Sequence, residues 1–216
     1  PLKIQVEQIA FEHTKSVLGG EVSIVFYDMT TLHFEAQDED DLRRTGFSKA
    51  GKHRNPQIYL GLLVGLHGFA IGYDIFEGNI FEGHTLLPTI QKYEVRYSLN
   101  KPVVIADAGL LSKENISMLQ SNGYKYIIGA RIKNESAPMK EKILQENWVE
   151  GHTIRLKKDS YQRIVVSYSQ KRAAKDRHNR ERGLARLEKN LKRGRLTKAN
   201  INNRGYNKYL KLSGEI

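Results

Sequence analysis

Val22-Ser23-Ile24-Val25-Phe26-Tyr27-Asp28 and, far downstream, Pro102-Val103-Val104-Ile105-Ala106-Asp107 are the two stretches on which the fold turns. Each is a short run rich in β-branched and other apolar residues that ends on an aspartate. That is the composition of a buried strand delivering a carboxylate at its C-terminal end. Downstream of the first, residues 31–35 predict the start of a next strand. Residues 57–66 and 69–76 predict apolar strands meeting at a tight turn on His67-Gly68, which completes a three-stranded antiparallel meander. The basic segment between them, 43–56, is expected to be mobile or ordered by a ligand. Ahead of the second aspartate, Leu86, Leu87, Ile90, Tyr93 and Tyr97 have the spacing of one helical face. Beyond it, Ser112 suits a helix start and Asn122-Gly123 a left-handed stop. Residues 124–130 predict a last strand, parallel to its predecessor. A meander followed by alternating strands and helices predicts an α/β fold, a mixed five-stranded sheet flanked by helices.

The chain of 216 residues can bury an ordinary core, and having no cysteine it can form neither disulfides nor a thiolate zinc site. It fits a reducing cytoplasm. No apolar run approaches the roughly 20 residues that cross a bilayer, and the N-terminus lacks a signal-peptide layout. Opening on Pro1 and stopping at Ile216, the sequence is expected to be cut from something longer.

The net charge of +11 is localised: residues 1–170 hold 20 Lys+Arg against 20 Asp+Glu, whereas 171–216 hold 15 against 4. Clustered positive charge favours a polyanion, through release of condensed counterions; a solvated helix is the plain alternative. Residues 138–146 predict a short helix, and 148–156 with 161–168 a hairpin, so that 1–147 form the core and 148–170 a small β insertion. Residues 171–216 are then a basic helix, to about Arg193, and a weakly ordered basic tail. Trp148 is expected to anchor the hairpin. Tyr206 and Tyr209 either stack on a ligand or pack.

Two ionised aspartates on neighbouring strand ends repel each other, and a divalent cation relieves that repulsion. Mg²⁺ or Mn²⁺ prefers carboxylate oxygen, and two such ions about 3.5–4 Å apart support in-line phosphoryl displacement. The competing reading is that Asp28 and Asp107 only cap the turns that follow them. His33, His53, His67, His84, His152 and His178 show no ligand spacing and are expected to be structural or superficial.

Three motifs occur in order: Tyr27-Asp28-Met29-Thr30-Thr31, then Gly78-Asn79 followed by Thr85-Leu86-Leu87, then Ala106-Asp107-Ala108-Gly109. Together they resemble the DDE transposases of bacterial insertion sequences, well over residues 21–130 and more loosely at Tyr168-Ser169-Gln170-Lys171-Arg172-Ala173. The resemblance implies an RNase H-like catalytic domain in which Asp28 and Asp107 are two of three metal-holding catalytic carboxylates. It implies two Mg²⁺ or Mn²⁺ ions in the complete DNA complex, and duplex DNA (transposon ends and target) as substrate. A homodimer on that DNA and a bacterial cytoplasmic, nucleoid-associated location follow from it as well. The family's Tyr-x2-Arg-x3-Glu-x6-Lys pattern is missing. Tyr93 and Arg96 have Asn100 where its Glu belongs, and Glu181 and Glu188 lack the surrounding pattern. The third carboxylate is therefore expected beyond Ile216, the chain being expected to stop before the last core helix, and this fragment alone is expected to be inactive. On this reading Lys171, Arg172, Lys175, Arg177, Arg180 and Arg182 contact DNA phosphates. The competing functions are a catalytically inactive RNase H-like nucleic-acid-binding protein and a simple RNase H-like nuclease without strand transfer.

Overall fold

A computed structural model of the chain describes residues 2–48, 51–194 and 205–210. They fall into two compact units, Pro1–Ile132 and Lys133–Ile216. The first unit contains a five-stranded sheet in the order β3-β2-β1-β4-β5. Its strands are β1 (Ile24–His33), β2 (Gln57–Val64), β3 (Ala70–Glu77), β4 (Val103–Ala106) and β5 (Tyr126–Ile128). β2 is antiparallel to β1 and β3, while β4 and β5 run parallel to β1. This is the mixed five-stranded sheet flanked by helices that the sequence predicts. The β2–β3 turn forms at the expected dipeptide: His67 and Gly68 both adopt left-handed φ (62° and 84°), the twist that suits a tight antiparallel connection.

One expectation needs correction. The strand predicted to begin at residue 31 is not a new element: β1 continues through Asp28 to His33, because Thr30, Thr31 and Leu32 keep pairing with Leu60, Tyr59 and Ile58 of β2. The meander therefore consists of β1, β2 and β3. The segment 43–56, expected to be mobile or ordered by a ligand, is bonded at its two ends. The amides of Arg44 and Gln57 exchange hydrogen bonds with each other's carbonyls (3.1 and 2.9 Å), and the Gly78 amide donates to Leu42 O (3.2 Å).

Three helices complete the unit: α1 (Leu2–Val17), α2 (Leu86–Tyr97) and α3 (Lys113–Ser121). α2 buries the predicted face, Leu86, Leu87, Ile90, Tyr93 and Tyr97. α3 starts on Ser112, whose hydroxyl accepts from the Asn115 amide at 3.0 Å, and its chain turns at Gly123 with φ 75°. Sequence reasoning missed α1. Its buried positions are Glu7, Phe11 and Thr14, so its inward face is mostly polar. Phe11 stacks on Tyr97 (3.9 Å, 3°), Thr14 Oγ1 donates to Ala70 O (2.8 Å), and the buried Glu7 carboxylate accepts from Tyr93 OH, Tyr73 N and Arg96. Burial pushes the Glu7 carboxyl up, but the hydrogen bonds from Tyr93 and Tyr73, Lys3 and Arg96 outweigh it and hold the group below the ordinary glutamate value.

The second unit packs α4 (Ala137–Gln145) with a hairpin of β6 (Thr153–Lys157) and β7 (Arg163–Ser167). Ile143, Ile164 and Val166 form its small core with Met139, Trp148, Ile154 and Leu156 against them. Trp148 anchors it as expected, its indole N–H donating to Ile143 O at 2.7 Å. The turn between β6 and β7 closes on Asp159, which accepts from the amides of Tyr161 and Gln162 (2.7 and 2.8 Å). The long charged helix is α5 (Gln170–Lys192), capped by Ser169. Of the expected basic tail, only residues 205–210 are described. Tyr206 packs there, its ring so close to Gly183 that a Cβ at 183 would fall 2.1 Å from it, and its hydroxyl donates to Asn179 O at 2.9 Å.

Candidate active site

The parallel register of β1 and β4 pairs Ile24 with Val103 and ends with Tyr27 opposite Ala106. Asp28 is the next residue of β1 and Asp107 lies one residue past the end of β4, so the two aspartates directly follow the last paired residues of adjacent parallel strands. Strand alternation puts both on one face of the sheet, with Phe26 and Ile105. Val25, Tyr27 and Val104 point the other way into the core. Both aspartates are exposed.

Each carboxylate has one oxygen engaged locally. Asp28 Oδ1 accepts from the Met29 amide at 2.8 Å, and Asp107 Oδ1 accepts from the amides of Gly109 (2.7 Å) and Leu110 (3.3 Å). Their Oδ2 atoms have no hydrogen-bond partner among the described residues. Turn-capping, the plain reading of these aspartates, thus accounts for one oxygen of each and leaves the other available.

The Asp107 turn is built tightly. A Cβ on Gly109 would lie 2.9 Å from Asp107 Oδ1, and one on Gly129 would lie 2.8 Å from the Ala108 amide nitrogen. From just past β5, Arg131 donates to Ala108 O at 2.7 Å, clamping the turn and adding a cation beside it. Sequence reasoning missed Arg131. The available signal was a lone arginine directly after the Gly129-Ala130 pair that follows the last apolar run.

The middle motif supports Asp28 from beneath. Tyr27 OH donates to Thr85 Oγ1 at 2.9 Å, and Thr85 donates onward to Glu82 O at 2.8 Å. Burial raises the Tyr27 pKa, keeping the hydroxyl a donor. Gly78 is needed because the Arg44–Gln57 bridge runs against it: a Cβ there would meet Gln57 O at 2.0 Å and Arg44 O at 2.4 Å. Gln57 Nε2 also donates to Gly78 O at 2.7 Å. The Tyr27–Thr85 bond holds the start of α2 against β1, while Gly78, Gln57 and Arg44 hold the segment after β3 against the start of β2.

No cluster of three or more His, Asp or Glu that could hold a metal occurs among the described residues. Tyr93 and Arg96, the incomplete echo of the family pattern, are both committed to Glu7. His33 lies beside Ser48 (3.4 Å), His53 beside Phe47, His84 beside Phe81 and His152 beside Trp148. The six cations expected at DNA, and Glu181 and Glu188, all lie exposed on α5 in the second unit. Arg172 is paired with Asp176 at 3.2 Å.

The profile of the Transposase DDE domain family matches residues 20–208, and the chain belongs to that family. No curated protein matches the chain. Among solved structures it is similar to the piggyBac transposase in a synaptic complex with hairpin DNA, at 12% identity and TM-score 0.46, covering 69% of this chain and 31% of that one. Two structures of Mos1 transposase are more distant. The paired-end complex with left transposon end has 10% identity and TM-score 0.34, covering 56% of this chain and 39% of that one. The Mos1 mariner paired-end complex with Mn has 13% identity and TM-score 0.32, covering 56% and 40%. Likeness this remote adds nothing to the assignment, which rests on the family match. The chain spans well under half the length of these proteins. Among the described residues no helix is long and apolar enough to cross a membrane.

Proposed function

We propose that this chain is the catalytic core of a DNA transposase that hydrolyses a phosphodiester at a transposon end and joins the freed 3′-hydroxyl to target DNA. The observation that carries the reading is the juxtaposition of Asp28 and Asp107 on adjacent parallel strands, with one oxygen of each unengaged. In the first step a water oxygen bonds to phosphorus, the P–O3′ bond breaks, and the leaving oxygen takes up a proton. In the second that 3′-oxygen bonds to a target phosphorus and displaces the target's own 3′-oxygen.

The donor set suits a hard divalent cation, Mg²⁺ or Mn²⁺: two exposed carboxylates whose like charges are forced together by the register. When bound there, such ions would supply a nucleophilic oxygen at neutral pH and charge stabilisation for the leaving oxygen. The chain's own part is orientation. The Met29 amide sets the Asp28 carboxylate, the Gly109 and Leu110 amides set that of Asp107, and Arg131 holds the Asp107 turn.

The third carboxylate, on this proposal, comes from outside the described residues. The sheet face bearing Asp28 and Asp107 is apolar yet open, with Leu62, Ile75 and Ile127 exposed at 41%, 43% and 62%. An element covering that face would reach the two aspartates. Calorimetric titration with Mn²⁺ tests the half-site: binding to the chain that is lost in both Asp28→Asn and Asp107→Asn is expected. Binding indifferent to both substitutions, or none in the millimolar range, overturns it.

A further inference from the structure

α5 carries nine cations and three carboxylates, and five of the cations line one arc of the helix that holds no carboxylate. At about 100° per residue, Lys171, Lys175, His178, Arg182, Arg186 and Lys189 fall within an arc of about 80°. All six are exposed, and none of the three carboxylates, Asp176, Glu181 and Glu188, lies in that arc. The half-buried positions, Ala173, Gly183, Leu184, Leu187 and Asn190, lie away from it, and Tyr206 packs on that side at Gly183. Arg177 and Arg180 project on the side of Leu184 and Leu187, and Arg172 is held by Asp176. Three of the six cations expected from sequence are therefore off the row, and two others, Arg186 and Lys189, are on it.

We infer that this row, Lys171, Lys175, Arg182, Arg186 and Lys189 with His178 among them, is a docking surface for the sugar-phosphate backbone of duplex DNA. It runs for about 27 Å along the helix with side chains spaced about one turn apart. Duplex DNA offers a continuous line of phosphates, and clustered cations bind it by counterion release. Its side chains are almost all cationic, and contacts from such a row to phosphates fix the register and orientation of a duplex. An anionic membrane is the lesser fit. A helix lying on a bilayer inserts a broad apolar face opposite its cations, whereas here that side is narrow, half-covered and interrupted by Gly183 and Asn190. The inference rests on the DNA transposase reading above.

The test is fluorescence anisotropy on the full chain with a duplex oligonucleotide of three helical turns, over a range of salt concentrations. Alanine, the best helix former, is the replacement, and circular dichroism checks that α5 persists. For Lys175→Ala/Arg182→Ala/Arg186→Ala we expect at least tenfold weaker binding and a salt slope reduced by about 0.9 for each phosphate no longer neutralised. For Arg177→Ala/Arg180→Ala we expect affinity within twofold and an unchanged slope. Equal losses in the two variants, an unchanged slope in the row variant, or equally tight binding to phosphatidylserine vesicles would overturn the inference. Asp28→Asn and Asp107→Asn should leave the slope unchanged, so failure of the row and failure of the carboxylate site are told apart.

Discussion

The two faces of the five-stranded sheet differ sharply although both are apolar. On one, Val25, Leu63 and Val104 are fully buried and Tyr27 nearly so, beneath α2, which also stacks on α1. On the other, Phe26 and Ile105 are half-buried and Leu62, Ile75 and Ile127 exposed, and it is this face that carries Asp28 and Asp107. The packed face supplies stability, since burying apolar area stabilises by about 25 cal/mol per Å². The open face keeps the carboxylates accessible to a ligand. Alternation along β1 is enough to separate the two roles, residue by residue.

Substitutions can break that contrast or sharpen it. Leu63→Ala on the packed face should destabilise the first unit by about 3 kcal/mol, read as a fall in the urea midpoint; a loss under about 1 kcal/mol would mean the two faces are alike. Next comes the polar anchor of α1. Tyr93→Phe removes a hydrogen bond to a buried carboxylate and should cost about 1–3 kcal/mol. Because the folded Glu7 pKa lies below its unfolded value near 4.5, its stabilisation is present above pH 4.5 and lost as pH falls through the folded value. In Tyr93→Phe that acid limb should move to higher pH in a denaturation series. Arg131→Ala should loosen the Asp107 turn and weaken Mn²⁺ binding severalfold while changing stability by about 0.5 kcal/mol at most. Smallest of all, Ile127→Ser on the open face should shift stability by less than about 0.5 kcal/mol, and a larger loss would show that this face is covered in solution.

Much of this architecture was legible because its signals are local. The second apolar run, ending beside Asp107, the His67-Gly68 turn, the Leu86 to Tyr97 face and the Ser112 cap each depend on residues a few positions apart, and each formed where expected. α1 was not legible, because the usual pattern is inverted: Leu2, Val6 and Ile9 face solvent at 75%, 60% and 70%, while Glu7 is buried. Its inward face makes sense only with Tyr93, Arg96 and Tyr73 in place, some 66 to 89 positions away. The end of β1 was misjudged for a related reason, since pairing with β2 carries the strand past Asp28.

By itself the sequence determined the sheet's composition, the two aspartates and the excess of charge after residue 170, because hydrophobic periodicity and charge are properties of neighbours along the chain. Only the fold settles that Asp28 and Asp107 directly follow paired residues of adjacent parallel strands, that Arg131 clamps the turn of the second, and that Tyr93 and Arg96 serve Glu7. Those arrangements depend on which strands pair and which helices pack, and no spacing along one strand encodes its neighbour.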